Sequence, residues 1–234
     1  MMQQILLGQG GVAVVTVDDV FSVDTYTGNG STQTITNGVN LSGEGGMVWA
    51  KSRSDIEPHS IIDNERGLTS VLNTSVNGDA STRNYMDSFN SNGFTLDTSD
   101  NRINGSGKTY VSWTFRKASK FFDVVKYTGN GTMGRTVSHD LGAVPGMIWV
   151  KQTDGSSDWI VYHKGLGNTK FIRLNTSGAA QTFSVWNNTT PTATEFTVGT
   201  LGAINGNGNE FVAFLFADDD LMSFGTYAGN ETSS

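Results

Sequence analysis

The stretch Asn104-Gly-Ser-Gly-Lys-Thr109 ends in the Gly-Lys-Thr of a phosphate-binding loop, which wraps backbone N–H groups and a lysine around phosphate oxygens. That loop needs a glycine five residues before the one preceding the lysine, and this chain has Arg102 there. It also needs a helix next, whereas Tyr110–Phe115 alternates in the manner of a strand. Asp63 and Glu65 lie two apart on an expected strand, so both carboxylates can share a face, as glycoside hydrolysis requires. Asp218, Asp219 and Asp220 form an acidic run of the type that holds a hard cation such as Ca²⁺. His59, His139 and His163 show no metal-binding spacing, no nucleophile elbow precedes a helix, and there is no cysteine. No catalytic residue and no metal ligand is therefore assigned.

Aromatic rings and amides supply the remaining chemistry. Trp159, Tyr162, His163 and Trp186, with Asn187 and Asn188, provide the faces and hydrogen-bonding groups that stack on and bind sugars. Strand tryptophans in a β-sandwich also serve as core, so these six are candidate ligand-binding residues only.

Such residues need a frame, and the frame is an internal repeat. Phe21–Gly30 reads FSVDTYTGNG, Phe122–Gly131 reads FDVVKYTGNG and Met222–Glu231 reads MSFGTYAGNE, which places Tyr26, Tyr127 and Tyr227 101 and 100 residues apart. Between these marks, Met47–Lys51 returns as Met147–Lys151, Phe94–Leu96 as Phe196–Val198, and Val111, Trp113 and Phe115 as Val212, Phe214 and Phe216. A period this long signals tandem domains rather than a solenoid, whose units run ~20–50 residues. The division is an N-terminal arm (1–20), a first repeat (21–120), a second repeat (121–220) and the opening strand of an incomplete third (221–234). The repeats also test the candidate sites. In the second copy Asp63 and Glu65 become His163 and Gly165, Lys108 becomes Asn209, and the acidic run stands where the first copy has Lys117-Ala118-Ser119-Lys120.

The elements within each repeat are strands. In Tyr110–Phe115 the period is two, with Val111, Trp113 and Phe115 expected to face inward and Tyr110, Ser112 and Thr114 outward. In the second copy Ala213 and Leu215 make that outer set apolar, which implies partial cover. Met47–Ala50 is apolar on both faces, as befits a central strand. Short runs at Thr32–Thr36, Ser60–Asp63, Ser70–Leu72, Phe94–Leu96, Trp159–Tyr162, Lys170–Leu174 and Phe183–Trp186 are separated by Gly, Asn, Asp and Ser. Gly28-Asn29-Gly30 and Gly129-Asn130-Gly131 read as hairpin turns. With 29 glycines, three prolines and 16% charged residues, the chain is all-β: two tandem antiparallel β-sandwiches. Leu221–Tyr227 cannot bury a face alone, so it is expected to pair with the second sandwich or a neighbouring chain.

A net charge of −7 gives no positive field for nucleic acid or acidic lipid. Met1–Val20 has short apolar runs broken by glycines, unlike a signal peptide or a membrane span, and reads as a β arm that packs on a neighbour. Neither nucleic acid nor membrane insertion is expected, and no cofactor.

The succession TYTGNGSTQTITNG, GEGGMVWAKSR, NGSGKTYVSWTFRKA, GRTVSHDLG, VPGMIWVK and WIVYH resembles the repeat-bearing virion proteins of marine tailed bacteriophages. These are described as tail-fibre or tail-associated proteins with concanavalin A-like, lectin-type sandwiches of jelly-roll form, and the likeness covers essentially the whole chain. The resemblance implies a non-enzymatic structural protein of the virion, placed at the tail and mediating attachment to the host surface. Implied partners are other virion proteins through the N-terminal arm, further copies in a homo-oligomer, and a host glycan or receptor. Two alternatives stand beside it: a purely architectural protein (capsid cement, decoration or tail connector) with no host contact, and a glycan depolymerase on the same scaffold.

Overall fold

The computed structural model describes residues 15–229. Residues 1–14, most of the expected arm, and 230–234 lie outside the described residues. After a one-turn helix α1 (Val17–Val20), the first repeat forms β1 (Phe21–Thr27), β2 (Thr32–Thr36), β3 (Gly46–Ser52), β4 (Ser60–Asp63), β5 (Ser70–Val71), β6 (Ser81–Thr82), β7 (Met86–Asn90), β8 (Gly93–Asp97) and β9 (Thr109–Arg116). The second forms β10 (Phe122–Thr128), β11 (Arg135–Ser138), β12 (Pro145–Gln152), β13 (Ile160–His163), β14 (Lys170–Arg173), β15 (Gln181–Thr182), β16 (Glu195–Val198), α2 (Gly202–Asn205) and β17 (Glu210–Ala217). The protein is all-β and its strand pairs are antiparallel.

The first repeat places β1-β9-β3-β4 in one sheet and β2-β8-β7 in another; the second places β10-β17-β12-β13-β14-β15 in one and β11-β16 in another. Between the sheets of the first lie Ile35, Val48, Ala50, Ile62, Phe94 and Leu96, and between those of the second Val137, Ile148, Val150, Phe196, Ala213 and Leu215. Each repeat therefore closes over its own core, and β3 and β12 are central strands as their sequences imply.

Four expectations need correction. The inward face of β9 is the one carrying Tyr110, Ser112 and Thr114, all fully buried, while Val111, Trp113 and Phe115 look away from the sandwich. Both faces carry large apolar or aromatic groups, so period two identifies the faces without saying which is inside. Tyr-Thr-Gly-Asn-Gly is not a hairpin turn, because β1 pairs with β9 and β2 with β8; the turn carries the chain from one sheet to the other. Gly30 and Gly131, at φ +71° and +67°, make that crossing without a Cβ in the left-handed region. Phe183–Trp186 is not a strand. It leads into a turn held by Asn187 and Asn188 at φ +52° and +51°, and Val185 and Trp186 fill the core where the first repeat has β7.

The fourth concerns Leu221–Tyr227, which makes no strand pair with the second repeat. The turn before it does repeat: Ala118 bridges Phe122, and Asp219 bridges Met222. In both repeats, however, the opening strand pairs with the closing strand of the same repeat, β1 with β9 and β10 with β17. The segment instead lies as a strap on the second repeat. Phe224 sits where a Cβ on Gly146 would be, its ring 5.9 Å from and edge-on to His163, and its backbone N–H donates to Asp218 at 3.0 Å.

Candidate binding face between the repeats

The apolar residues that look away from each sandwich meet one another. Trp49 and Trp149 pack edge to face with centroids 5.6 Å apart, and Phe115 and Phe216 do the same at 5.6 Å. Each pair joins equivalent residues of the two copies, the signature of a two-fold contact. A third core forms here from Val20, Met47, Ile61, Phe122, Trp159 and Phe214 with their neighbours. Well-packed aromatic pairs of this kind add about 0.5–1.5 kcal/mol each beyond the area they bury.

The two-fold is broken on one side. Residues Asn73–Ala80 of the first repeat cross to the second, where Asn73 O accepts from Trp159 Nε1 (2.8 Å), Asn77 O from Ser157 N (2.8 Å), and Thr153 O from Ala80 N (2.9 Å). The matching loop, Asn175–Ala180, is shorter by two residues and largely exposed. The second repeat's outer face is consequently covered, with Phe122, Val124, Val212, Phe214 and Phe216 all at most 2% accessible. The same positions of the first repeat stay open: Val23 is 54% accessible, and Phe21, Val111, Trp113 and Phe115 are partly so.

The lysines at the ends of β3 and β12 register this difference. Lys151 has no accessible surface, and its ammonium donates to Gln152 O at 2.8 Å and Asn77 O at 3.4 Å. Burial pulls its pKa down to about 8, against the partial support of Asp79, Asp158 and Asp154. Lys51 makes the matching bond to Ser52 O, reaches Asp55 O of its own repeat at 3.4 Å in place of a loop from the other repeat, and remains partly accessible.

Beside the open face, between the sheets, is a cleft of about 420 Å³ whose lining includes Val17, Phe21, Trp49, Trp149 and Leu221 and contains no polar side chain. A cleft of this volume is large enough for a small ligand or a partner's side chains. Among the described residues no group of three His, Cys, Asp or Glu side chains is placed to hold a metal ion.

The structure scatters the six sugar-binding candidates. Trp159 is fully buried in the core between the repeats, and Tyr162 and Trp186 pack against each other at 5.6 Å inside the second sandwich. None of the three presents a ring face to solvent, because each completes a core that this loop-rich chain must fill. His163 is partly accessible but engaged by Phe224 and by the backbone N–H of Gly165, Asn187 is partly accessible, and of the six only Asn188 is exposed. The carboxylate pair is likewise taken. Asp63 is fully buried against Arg66 (2.6 Å), and Glu65 pairs with Lys117 (3.0 Å). In the acidic run, Asp218 pairs with Lys164 and Asp219 lies 3.8 Å from Lys120. Lys164 and the Phe224 N–H hold the Asp218 carboxyl below its usual range.

The glycine-rich motifs turn out to hold each other. Asn104, fully buried, donates to Ser31 O (2.6 Å) and Thr98 O (2.8 Å) and accepts from Asn29 N (3.2 Å). Asn205 does the same to Thr132 O (2.9 Å), Gly199 O (2.7 Å) and from Asn130 N (3.0 Å). Gly28 lies against Gly105 O and Gly129 against Gly206 O, where a Cβ would collide at 2.4 and 2.1 Å. The phosphate-loop look-alike is the socket for the Tyr-Thr-Gly-Asn-Gly turn.

The open face was missed in the sequence, although its signal was there. Apolar residues recur at the same outward positions of both copies, while the loop that covers one copy is two residues longer than its counterpart. A family model described as a domain of unknown function, DUF7483, matches residues 16–234. No curated protein and no solved structure gives a match.

Proposed function

We propose that this chain, which belongs to the DUF7483 family, is a non-catalytic structural protein of a tailed-phage virion, in which two tandem jelly-roll-like sandwich units act as one architectural block. The observation that carries this reading is the destination of the recurring residues. The aromatics shared by the two copies fill cores and the contact between repeats, and the accessible apolar surface includes a sheet face and a cleft without polar side chains. Sugar sites combine an accessible ring with polar groups that fix hydroxyls, whereas an apolar sheet face suits packing against protein. Asp63 and Glu65 are engaged by Arg66 and Lys117, which counts against their serving as the acid and base of a depolymerase.

Host attachment is the second reading, and one feature favours it. The loop following β15 exposes Phe183, Asn188, Thr189 and Thr190, an aromatic ring with amide and hydroxyl groups close by in sequence. The experiment is to locate the protein on purified particles by reconstruction or gold-labelled antibody and to add free protein to an adsorption assay. The architectural reading expects labelled particles and unchanged adsorption. Competition with adsorption that is lost in Phe183→Ala would replace it with attachment. Absence from the particle would sink both.

A further inference from the structure

The outer face of the first large sheet is chemically a contact surface that the chain leaves half used. Its residues fall in rows across β1, β9 and β3: Phe21, Phe115 and Met47; then Val23, Trp113 and Trp49; then Thr25, Val111 and Lys51. In the second repeat the matching rows, Phe122, Phe216 and Met147, then Val124, Phe214 and Trp149, then Lys126, Val212 and Lys151, are buried except for Lys126 at the edge and a partly accessible Met147. The same apolar pattern is therefore covered in one copy and open in the other.

We propose that the open β1–β9 face pairs with the same face of a second copy of this chain, forming a two-fold dimer. Three observations select that occupant. The face is continuous with the contact between the repeats, through Trp49, Trp113 and Phe115. That contact shows the pattern to be self-complementary, since Trp49 meets Trp149 and Phe115 meets Phe216. The equivalent face of the second repeat is already buried, so of the two matching faces a second molecule has its own β1–β9 face to offer. Val17, 41% accessible, lines the adjoining cleft with Phe21. The proposal stands apart from the virion reading, because it concerns only the chain and its copy.

Sedimentation velocity and light scattering on the purified chain test it. The wild type is expected at twice 25.1 kDa in the micromolar range. Val23→Lys, a change at an accessible side chain, is expected to weaken dimerisation by at least about tenfold while leaving the circular dichroism spectrum unchanged. Ile56→Lys, on a fully accessible side chain of the β3–β4 loop, is the control that stays dimeric. A chain starting at residue 15 is expected to remain dimeric. A wild type that stays monomeric, or a dimer indifferent to Val23→Lys, overturns the proposal. So does dimerisation of only the shortened chain, which would mean that residues 1–14 occupy the face.

Discussion

At the scale of single residues, stability turns on buried polar groups whose partners are all supplied by the chain. Asn205→Ala would leave Thr132 O, Gly199 O and Asn130 N without their partner in a closed site. A loss of about 2–4 kcal/mol in urea unfolding is expected, against under about 0.5 kcal/mol for Ser177→Ala at an exposed loop position. Lys151 acts in the opposite sense. Its folded pKa of about 8 lies below the 10.5 of a free lysine, so charging the buried amine weakens the fold at neutral pH. Stability is expected to rise by up to about 3 kcal/mol as pH climbs from about 8 towards 10.5, and melting curves of Lys151→Met should lack that rise. The sequence showed Lys51 and Lys151 recurring in an apolar strand, but the burial of one alone depends on a loop from the other repeat. For the same reason Trp159 read as a sugar platform: its type was legible, and the loop Asn73–Ala80 lying over it was not.

At the scale of elements, the strands were legible and their surroundings less so. Alternation located β9 and β17, and the doubly apolar Met47–Ala50 located a central strand. Which face of β9 points inward was decided by Tyr110, whose hydroxyl donates to Asn101 O at 2.8 Å and accepts from Gly105 N at 2.8 Å inside the sandwich. Repetition of the Tyr-x-Gly-Asn pattern suggested a third opening strand; what it could not convey is that both earlier opening strands are held by a closing strand some ninety residues further on. The strap is held instead by the fit of Phe224 over Gly146 and of Thr226 against Gly165. Gly146→Val fills the space taken by the Phe224 ring, so residues 221–229 are expected to become several-fold more sensitive to limited proteolysis. Equal cleavage of wild type and variant would show that the strap is not held by that contact.

At the scale of the whole molecule, the repeats share a core, and this governs how they unfold. A sandwich standing alone would expose Trp49, Phe115, Trp149, Phe214 and Phe216. Calorimetry is therefore expected to show one cooperative transition, with calorimetric and van't Hoff enthalpies in agreement, rather than two. Trp149→Ala, which removes the centre of the contact, is expected to cost about 3–5 kcal/mol and to split the transition in two. The number of repeats could be read from the sequence because a period survives divergence. Their face-to-face packing could not, because an outward apolar position looks the same whether its cover comes from the same repeat, its twin or another chain.

The two residues by which Asn175–Ala180 is shorter than Asn73–Ala80 have a consequence beyond local cover. Two equal halves joined with perfect symmetry would look the same from either side, and nothing assembling with them could tell one end from the other. Shortening one loop gives the molecule a front and a back, and hence a direction of its own.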